Sequence, residues 1–220
     1  MRNAMLLLST TIVLATGCTP VQEKPQISVG AQPDVPTNWH MRVTATDRNA
    51  IDRLPMAWSR ARAAVPRRAR AAVAAEGVLL DPTVALPKAE LPPGLYYCRL
   101  LRFGGRAGFA TFKPDFCTVV VNADGTAFNK QSGTTQPRGW LFTQNDTRQV
   151  FLGTFPPERG GAAPAYGVDP LANVAGVVER VSGFRWRMVL SRAGGGALLD
   201  VYELVPVTPK VPGAVPAVAG

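Results

Sequence analysis

The spacing of apolar positions changes twice along the chain. Met5 to Ala15 is an unbroken apolar run behind Arg2, too short to cross a bilayer as a helix. After a Pro-rich gap, Ile51, Leu54 and Trp58 recur at helical spacing with Met56 nearby, and Thr46 or Asp47 stands where an N-cap is wanted. Pro55 interrupts this run, so two short helices are expected, with Pro55 as the first residue of the second. Pro66 repeats the device ahead of an Ala/Arg-rich segment ending near Gly77. From Gly94 onward the period falls to two. Strands are expected over Tyr96–Phe103, Ala110–Phe112 bending into Phe116–Asn122, Thr126–Lys130, Gly139–Thr143, Gln149–Phe155, Ala175–Val181, Phe184–Ser191 and Leu198–Val205. Gly104 to Gly108, Ala123-Asp124-Gly125, Asn145-Asp146, Ser182-Gly183 and Ala193 to Gly196 supply the turns. The pattern is α+β and mainly β: short N-terminal helices, then an antiparallel meander of about eight strands closing into a barrel-like or sandwich domain. The Gly- and Pro-rich insert from Pro156 to Asn173 is the one long connection, the kind that is often functional.

The last hairpin is the most sharply patterned unit. Phe184, Trp186, Met188 and Leu190 alternate with Arg185, Arg187 and Val189, so one face enters the core and the arginines take the other. An even register sets Trp186 opposite Tyr202 and Arg185 opposite Glu203, joining an aromatic pair and an ion pair. It also leaves Asp200 on the apolar face beside Met188, where a carboxylate needs a partner. A register one residue off moves Asp200 to the arginine face, and the sequence leaves both open.

Composition organises the ends and the cysteines. Leu14-Ala15-Thr16-Gly17-Cys18 follows the apolar run and resembles a bacterial lipobox, in which cleavage precedes the cysteine and its thiol is acylated. Residues 1–17 then read as a signal peptide, 18–38 as a Pro-rich tether, 39–208 as a single globular domain with a helical front (39–93) and a β part (94–208), and 209–220 as a disordered tail. By resemblance to lipoproteins, Thr19 rather than Asp after the cysteine favours the outer membrane over the inner. Three cysteines less a lipidated Cys18 leave Cys98 and Cys117, which an oxidising periplasm joins as a disulfide. The turn between their strands is slightly off the midpoint, and a bulge at Pro114-Asp115 absorbs the difference.

The formal net charge is +9, or +8 once Arg2 leaves with the signal, and arginine dominates it. Such a balance suits acidic partners. In an exported chain these are an anionic envelope component or an envelope protein rather than nucleic acid, with the membrane itself held through the N-terminal lipid. Arg60, Arg62, Arg67, Arg68 and Arg70 make the helical front strongly basic; it suits either a membrane surface or simple solvation.

Chemistry-bearing patterns are sparse. The single histidine, His40, adjoins the tether, so Ser-His-Asp and Cys-His mechanisms lack a base. No metal or cofactor is expected, because the Cys and His count is too low for zinc and no phosphate-cradling loop is present. Lys130 and Ser132 share a strand face without further support for a dyad. Glu179, Asp200 and Glu203 could serve a histidine-independent hydrolase acting on an envelope glycan, but each has an arginine neighbour that suits structural pairing. Arg185, Arg187, Trp140 and Tyr166 are the candidate binding surface.

Several of these residues carry a family resemblance. Ala75-Glu76-Gly77, Asp81-Pro82, Tyr96, Cys98-Arg99, Phe116-Cys117, Lys130, Ser132-Gly133, Gly139-Trp140, Gly153, Tyr166-Gly167, Glu179-Arg180, Arg185-Trp186-Arg187, Leu199-Asp200 and Tyr202-Glu203 are similar in order to the domain-of-unknown-function 4893 family. The resemblance covers most of the chain after Trp39. It implies an exported protein, agrees with the domain boundary and the disulfide, and brings no assigned activity.

Overall fold

The computed structural model describes residues 38–157, 161–191 and 196–208. The signal, Cys18, the tether before Asn38, the Ala193 to Gly195 part of the last turn and the tail from 209 lie outside the described residues.

Two α-helices open the domain, α1 (Ala45–Asp52) and α2 (Leu54–Ala63). The cap of α1 is Thr44, not Thr46 or Asp47. Its hydroxyl accepts from the Asp47 N–H and donates to the Asp47 carboxylate, satisfying one of the free donors of the first turn. Pro55 does separate the helices, but as the second residue of α2, where its missing N–H is still not needed. A short α3 (Arg70–Ala75) buries none of its side chains, and a 3₁₀ turn, Gly77–Leu80, follows with Leu79 and Leu80 buried.

Nine strands form one antiparallel sheet: β1 (Gly94–Gly104), β2 (Gly108–Thr111), β3 (Asp115–Asn122), β4 (Gly125–Lys130), β5 (Arg138–Asn145), β6 (Arg148–Thr154), β7 (Asn173–Ser182), β8 (Arg185–Leu190) and β9 (Ala197–Pro206). Each pairs with the next from β3 to β9, and β9 returns to pair with β1. The sheet therefore closes into a barrel rather than a sandwich. β2 and β3 both lie along the same edge of β1, one at each end, with Leu101 opposite Thr111 and Cys98 opposite Asp115. Phe112, Lys113 and Pro114 thus face only Arg99 and Leu100. This is the bulge expected at Pro114, and it makes an eight-stranded closed barrel with one strand broken in two. The shift sets Cys98 diagonally across from Cys117 on the inner face, with Cα atoms 5.9 Å apart, and the two are joined as a disulfide.

Alternation then sorts every side chain. Tyr96, Cys98, Leu100, Phe128, Leu141, Phe151, Val178, Trp186, Met188, Tyr202 and Leu204 point inward and form one buried cluster that fills the lumen. Leu91 joins them from the segment that crosses one end of the barrel, its N–H donating to the Gln149 carbonyl oxygen (Oε1). Leu101, Phe103, Phe142, Val150, Leu152, Ala175, Val177, Val189, Leu199 and Val201 point outward into a second cluster beneath Trp39, Ile51, Leu54, Trp58, Leu79 and Leu80. The helices thus cover one wall of the barrel. The outer face of the first half of β1 and of β3 is bare and exposes Leu95, Tyr97, Phe116 and Val120. Gly139 and Gly153 face each other where β5 meets β6. A Cβ on Gly139 would stand 2.2 Å from the Leu152 carbonyl oxygen, so only glycine allows that approach.

The last hairpin keeps the even parity but slides by two. Trp186 lies opposite Leu204, Arg187 opposite Glu203, and Leu190 opposite Asp200. Asp200 faces the lumen, and its partner comes from β1, whose Arg102 lies directly opposite.

Candidate functional site

Three regions gather charged or polar side chains. The first is the lumen end near Asp200. Arg102 donates to both Asp200 carboxylate oxygens at 2.7 and 2.6 Å, and its guanidinium stands 6.0 Å from the Phe112 ring centroid. Burial raises the Asp200 carboxyl, with Arg102 pulling the other way; the same hydrogen bonds raise the Arg102 guanidinium. The Tyr202 hydroxyl shares a 2.6 Å bond with Thr135, and burial raises its titration above the ordinary tyrosine value. Lys130 is fully buried. It donates to Asp115 at 2.8 Å and to the Ser132 carbonyl, tying down the loop after β4. The Lys130 amine therefore points at a carboxylate and a backbone oxygen, and the Ser132 hydroxyl turns toward Asp115.

The second region is the wall beneath the helices. Arg187 is the largest fully buried side chain. It donates to Glu179 at 2.9 and 2.7 Å, to the carbonyls of Leu79, Asp81 and Val84, and stacks 5.5 Å from the Trp58 ring centroid. One side chain thus pins the 3₁₀ turn and the segment after it to β8. Glu179 also accepts from Arg148. Beside this cluster a ladder runs Glu76–Arg99–Glu203–Arg185, each contact a salt bridge. Hydrogen bonds to Glu76, helped by Glu203, raise the Arg99 guanidinium further.

These geometries dispose of the sequence-derived sites in different ways. Asp200 is inside the barrel, whereas Glu179 and Glu203 are on its outer face, so the three carboxylates do not converge on one cleft. Each is held by at least one arginine. Arg185, Arg187, Trp140 and Tyr166 do not make one surface. Arg187 is buried because the outer face of β8 is covered, not solvated. Trp140 and Tyr166 pack against the helical layer. The Tyr166 hydroxyl donates to Asp47 and accepts from the Thr44 N–H, so the long insert is fastened to the start of α1. His40 sits in a 3₁₀ turn, stacked on Trp39.

The third region was only half visible in the sequence. Between residues 53 and 75 the chain carries six arginines, Arg53, Arg60, Arg62, Arg67, Arg68 and Arg70, and no acidic residue. Among the described residues none of the six makes a salt bridge; Arg62 and Arg68 donate only to the carbonyls of Leu80 and Ala107. A cleft of about 540 Å³ opens among them, lined by Arg62, Val65, Arg70, Val73, Leu80 and Asp81 with small residues between. Its one carboxylate, Asp81, is held below the ordinary value chiefly by the Thr83 hydroxyl and N–H. The basic composition announced the cations. The fold of α3 against the 3₁₀ turn, which makes the cleft, had no signal in the spacing.

No curated protein and no solved structure matches the chain. The family model for the domain of unknown function DUF4893 matches residues 39–204, so the barrel, its helical cover and the disulfide together span the matched region, and the chain belongs to that family.

Proposed function

We propose that this protein is a cell-envelope lipoprotein, anchored through an acylated Cys18 and facing the periplasm, whose barrel is a binding or structural module rather than a catalyst. The observation that carries this reading is the filled lumen. Tyr96, Phe128, Phe151, Trp186, Met188 and Tyr202 occupy the space a substrate would need, and Arg102 neutralises the one carboxylate of β9 that points inward. A hydrolase needs two carboxyl groups that converge across a substrate. Glu179, Asp200 and Glu203 stand on different faces of the sheet and are spent on arginines, so nothing favours the hydrolase reading. The lipobox-like Leu14 to Cys18, the odd cysteine left over by the Cys98–Cys117 bond and the outer-membrane preference of Thr19 support the anchor.

Purifying the chain from membranes and assaying it on peptidoglycan and soluble glycans tests the reading. The expected result is an N-terminal diacylglyceryl-Cys18 by mass spectrometry and no product above the buffer blank. A mature N-terminus elsewhere, or turnover that disappears in Glu179→Ala, Asp200→Ala or Glu203→Ala, would contradict it.

A further inference from the structure

We infer that the cleft between α2, α3 and the 3₁₀ turn seats the phosphate headgroup of an anionic phospholipid, so that the helical layer is the membrane-facing side of the domain. The inference rests on the envelope-lipoprotein reading and assigns it a contact surface. Its basis is the contrast in how this chain treats arginine. On the strands, five of seven arginines, Arg99, Arg102, Arg148, Arg185 and Arg187, hold carboxylates, while Arg180 donates to the Pro87 carbonyl and Arg138 forms no salt bridge among the described residues. On the helices, six arginines within one acid-free stretch hold none, and Arg67, Arg68 and Arg70 are exposed.

The cleft has the chemistry of a headgroup and the first carbons beneath it. Arg62 and Arg70 stand on its wall, while Val65, Val73 and Leu80 supply apolar lining. Its volume of about 540 Å³ falls in the range of small-ligand sites. Asp81 brings one negative charge to the lining against the two guanidiniums of Arg62 and Arg70, and one of its carboxylate oxygens is engaged by the Thr83 hydroxyl and N–H. Arg67 and Arg68 flank the cleft and meet neighbouring headgroups. A stretch of twenty residues, Thr19 to Asn38, separates Cys18 from Trp39 and reaches up to about 70 Å when extended, so the tether does not prevent this contact. One acyl signal and one basic patch together make the two-signal attachment that holds a protein on a membrane.

The test uses the full chain carrying Cys18→Ser, which removes acylation and keeps the leader in every arm. Binding is measured to phosphatidylcholine vesicles and to vesicles in which phosphatidylglycerol is about one lipid in three. Phosphatidylcholine alone reports what the leader contributes. The expected result is binding to the anionic vesicles stronger by about tenfold or more, and largely lost between roughly 0.1 and 0.5 M salt. Arg67→Ala/Arg68→Ala/Arg70→Ala should remove most of that excess. Ala74→Phe, which fills the cleft at an exposed position without changing charge, should lower it several-fold. Soluble short-chain phosphatidylglycerol should compete with the vesicles, a readout that needs no variant to fold. Equal binding to both vesicles, an excess that survives the triple substitution, or an excess that survives both Ala74→Phe and the soluble competitor would each overturn the inference. None of these outcomes depends on acylation. Failure of the cleft thus leaves the Cys18 mass measurement standing, and the reverse also holds.

Discussion

Two populations of arginine divide this molecule. Five of the seven strand arginines, Arg99, Arg102, Arg148, Arg185 and Arg187, are locked to carboxylates; among the described residues the other two, Arg138 and Arg180, are not. Arg53, Arg60, Arg67 and Arg70 stand on or between helices, and their guanidiniums form no salt bridge among the described residues. The same residue type is cement in one region and free charge in the other. The difference follows from burial. The outer faces of β7 to β9 lie under Trp58, Leu79 and Leu80, so a charge there must be neutralised on the spot. Arg60, Arg67 and Arg70 are exposed to water, where a guanidinium needs no partner. The five carboxylate-paired arginines of the barrel are structural, and the exposed arginines of the helices are available to something else.

The comparison breaks first at Glu179. It is 3% exposed and holds both Arg148 and Arg187. Glu179→Ala strands a buried guanidinium, and the loss should be about 3–5 kcal/mol of unfolding free energy by urea titration. A loss below about 1 kcal/mol would mean that the carbonyls of Leu79, Asp81 and Val84 suffice for Arg187. Next in size is the disulfide. The Cys98–Cys117 bond closes a loop of sequence separation 19, and in the chain-entropy model its reduction should cost about 3 kcal/mol. Denaturation with and without reductant measures this, and an unchanged midpoint would show that the barrel closure already holds β1 to β3.

Much of this architecture can be read from period and punctuation. Strand alternation, the turns at Asn122 to Gly125 and Asn145 to Arg148, the Pro114 bulge and the disulfide all follow from neighbours in sequence. What cannot be read is set by closure. The register of β8 on β9 slides by two because β9 must also pair with β1 along its length, and the partner of Asp200 is Arg102 on that first strand. Alternation also cannot separate a solvated outer face from one covered by helices. This is why Arg187 reads as surface and is in fact fully buried. Thr44 does not read as the cap because the helix begins before the first apolar residue of its stripe. The cleft has no signal in the sequence because α3 has no apolar period.

Smaller effects sharpen the contrast through pH. Burial pushes the Tyr96 hydroxyl up to about 12, and it donates to the Pro92 carbonyl. The folded chain therefore keeps a proton that the unfolded chain loses near pH 10. The stability tied to it is whole below about pH 10 and lost as pH rises toward about 12, at up to roughly 1.4 kcal/mol per pH unit. Urea midpoints should fall over that window in the native chain and fall less in Tyr96→Phe; parallel curves would remove Tyr96 from the account. Asp81 gives the smallest effect and the opposite sign. Its carboxyl is held below the ordinary 3.8 by Thr83, so the stability it contributes is present above that value and lost as pH falls through the depressed one. Thr83→Ala should show a slight loss at neutral pH that vanishes in acid, and a loss that persists in acid would assign it to packing instead.

The division between cementing and free arginines is tested most directly by one pair of urea unfolding curves at neutral pH, for Arg187→Ala and for Arg67→Ala/Arg68→Ala/Arg70→Ala. The first should lose about 3–5 kcal/mol, since it leaves Glu179 buried and unties the 3₁₀ turn. The second removes three exposed charges and should stay within about 1 kcal/mol of the native chain. Comparable losses in the two variants would contradict the account, because the helical arginines would then be part of the fold's own support.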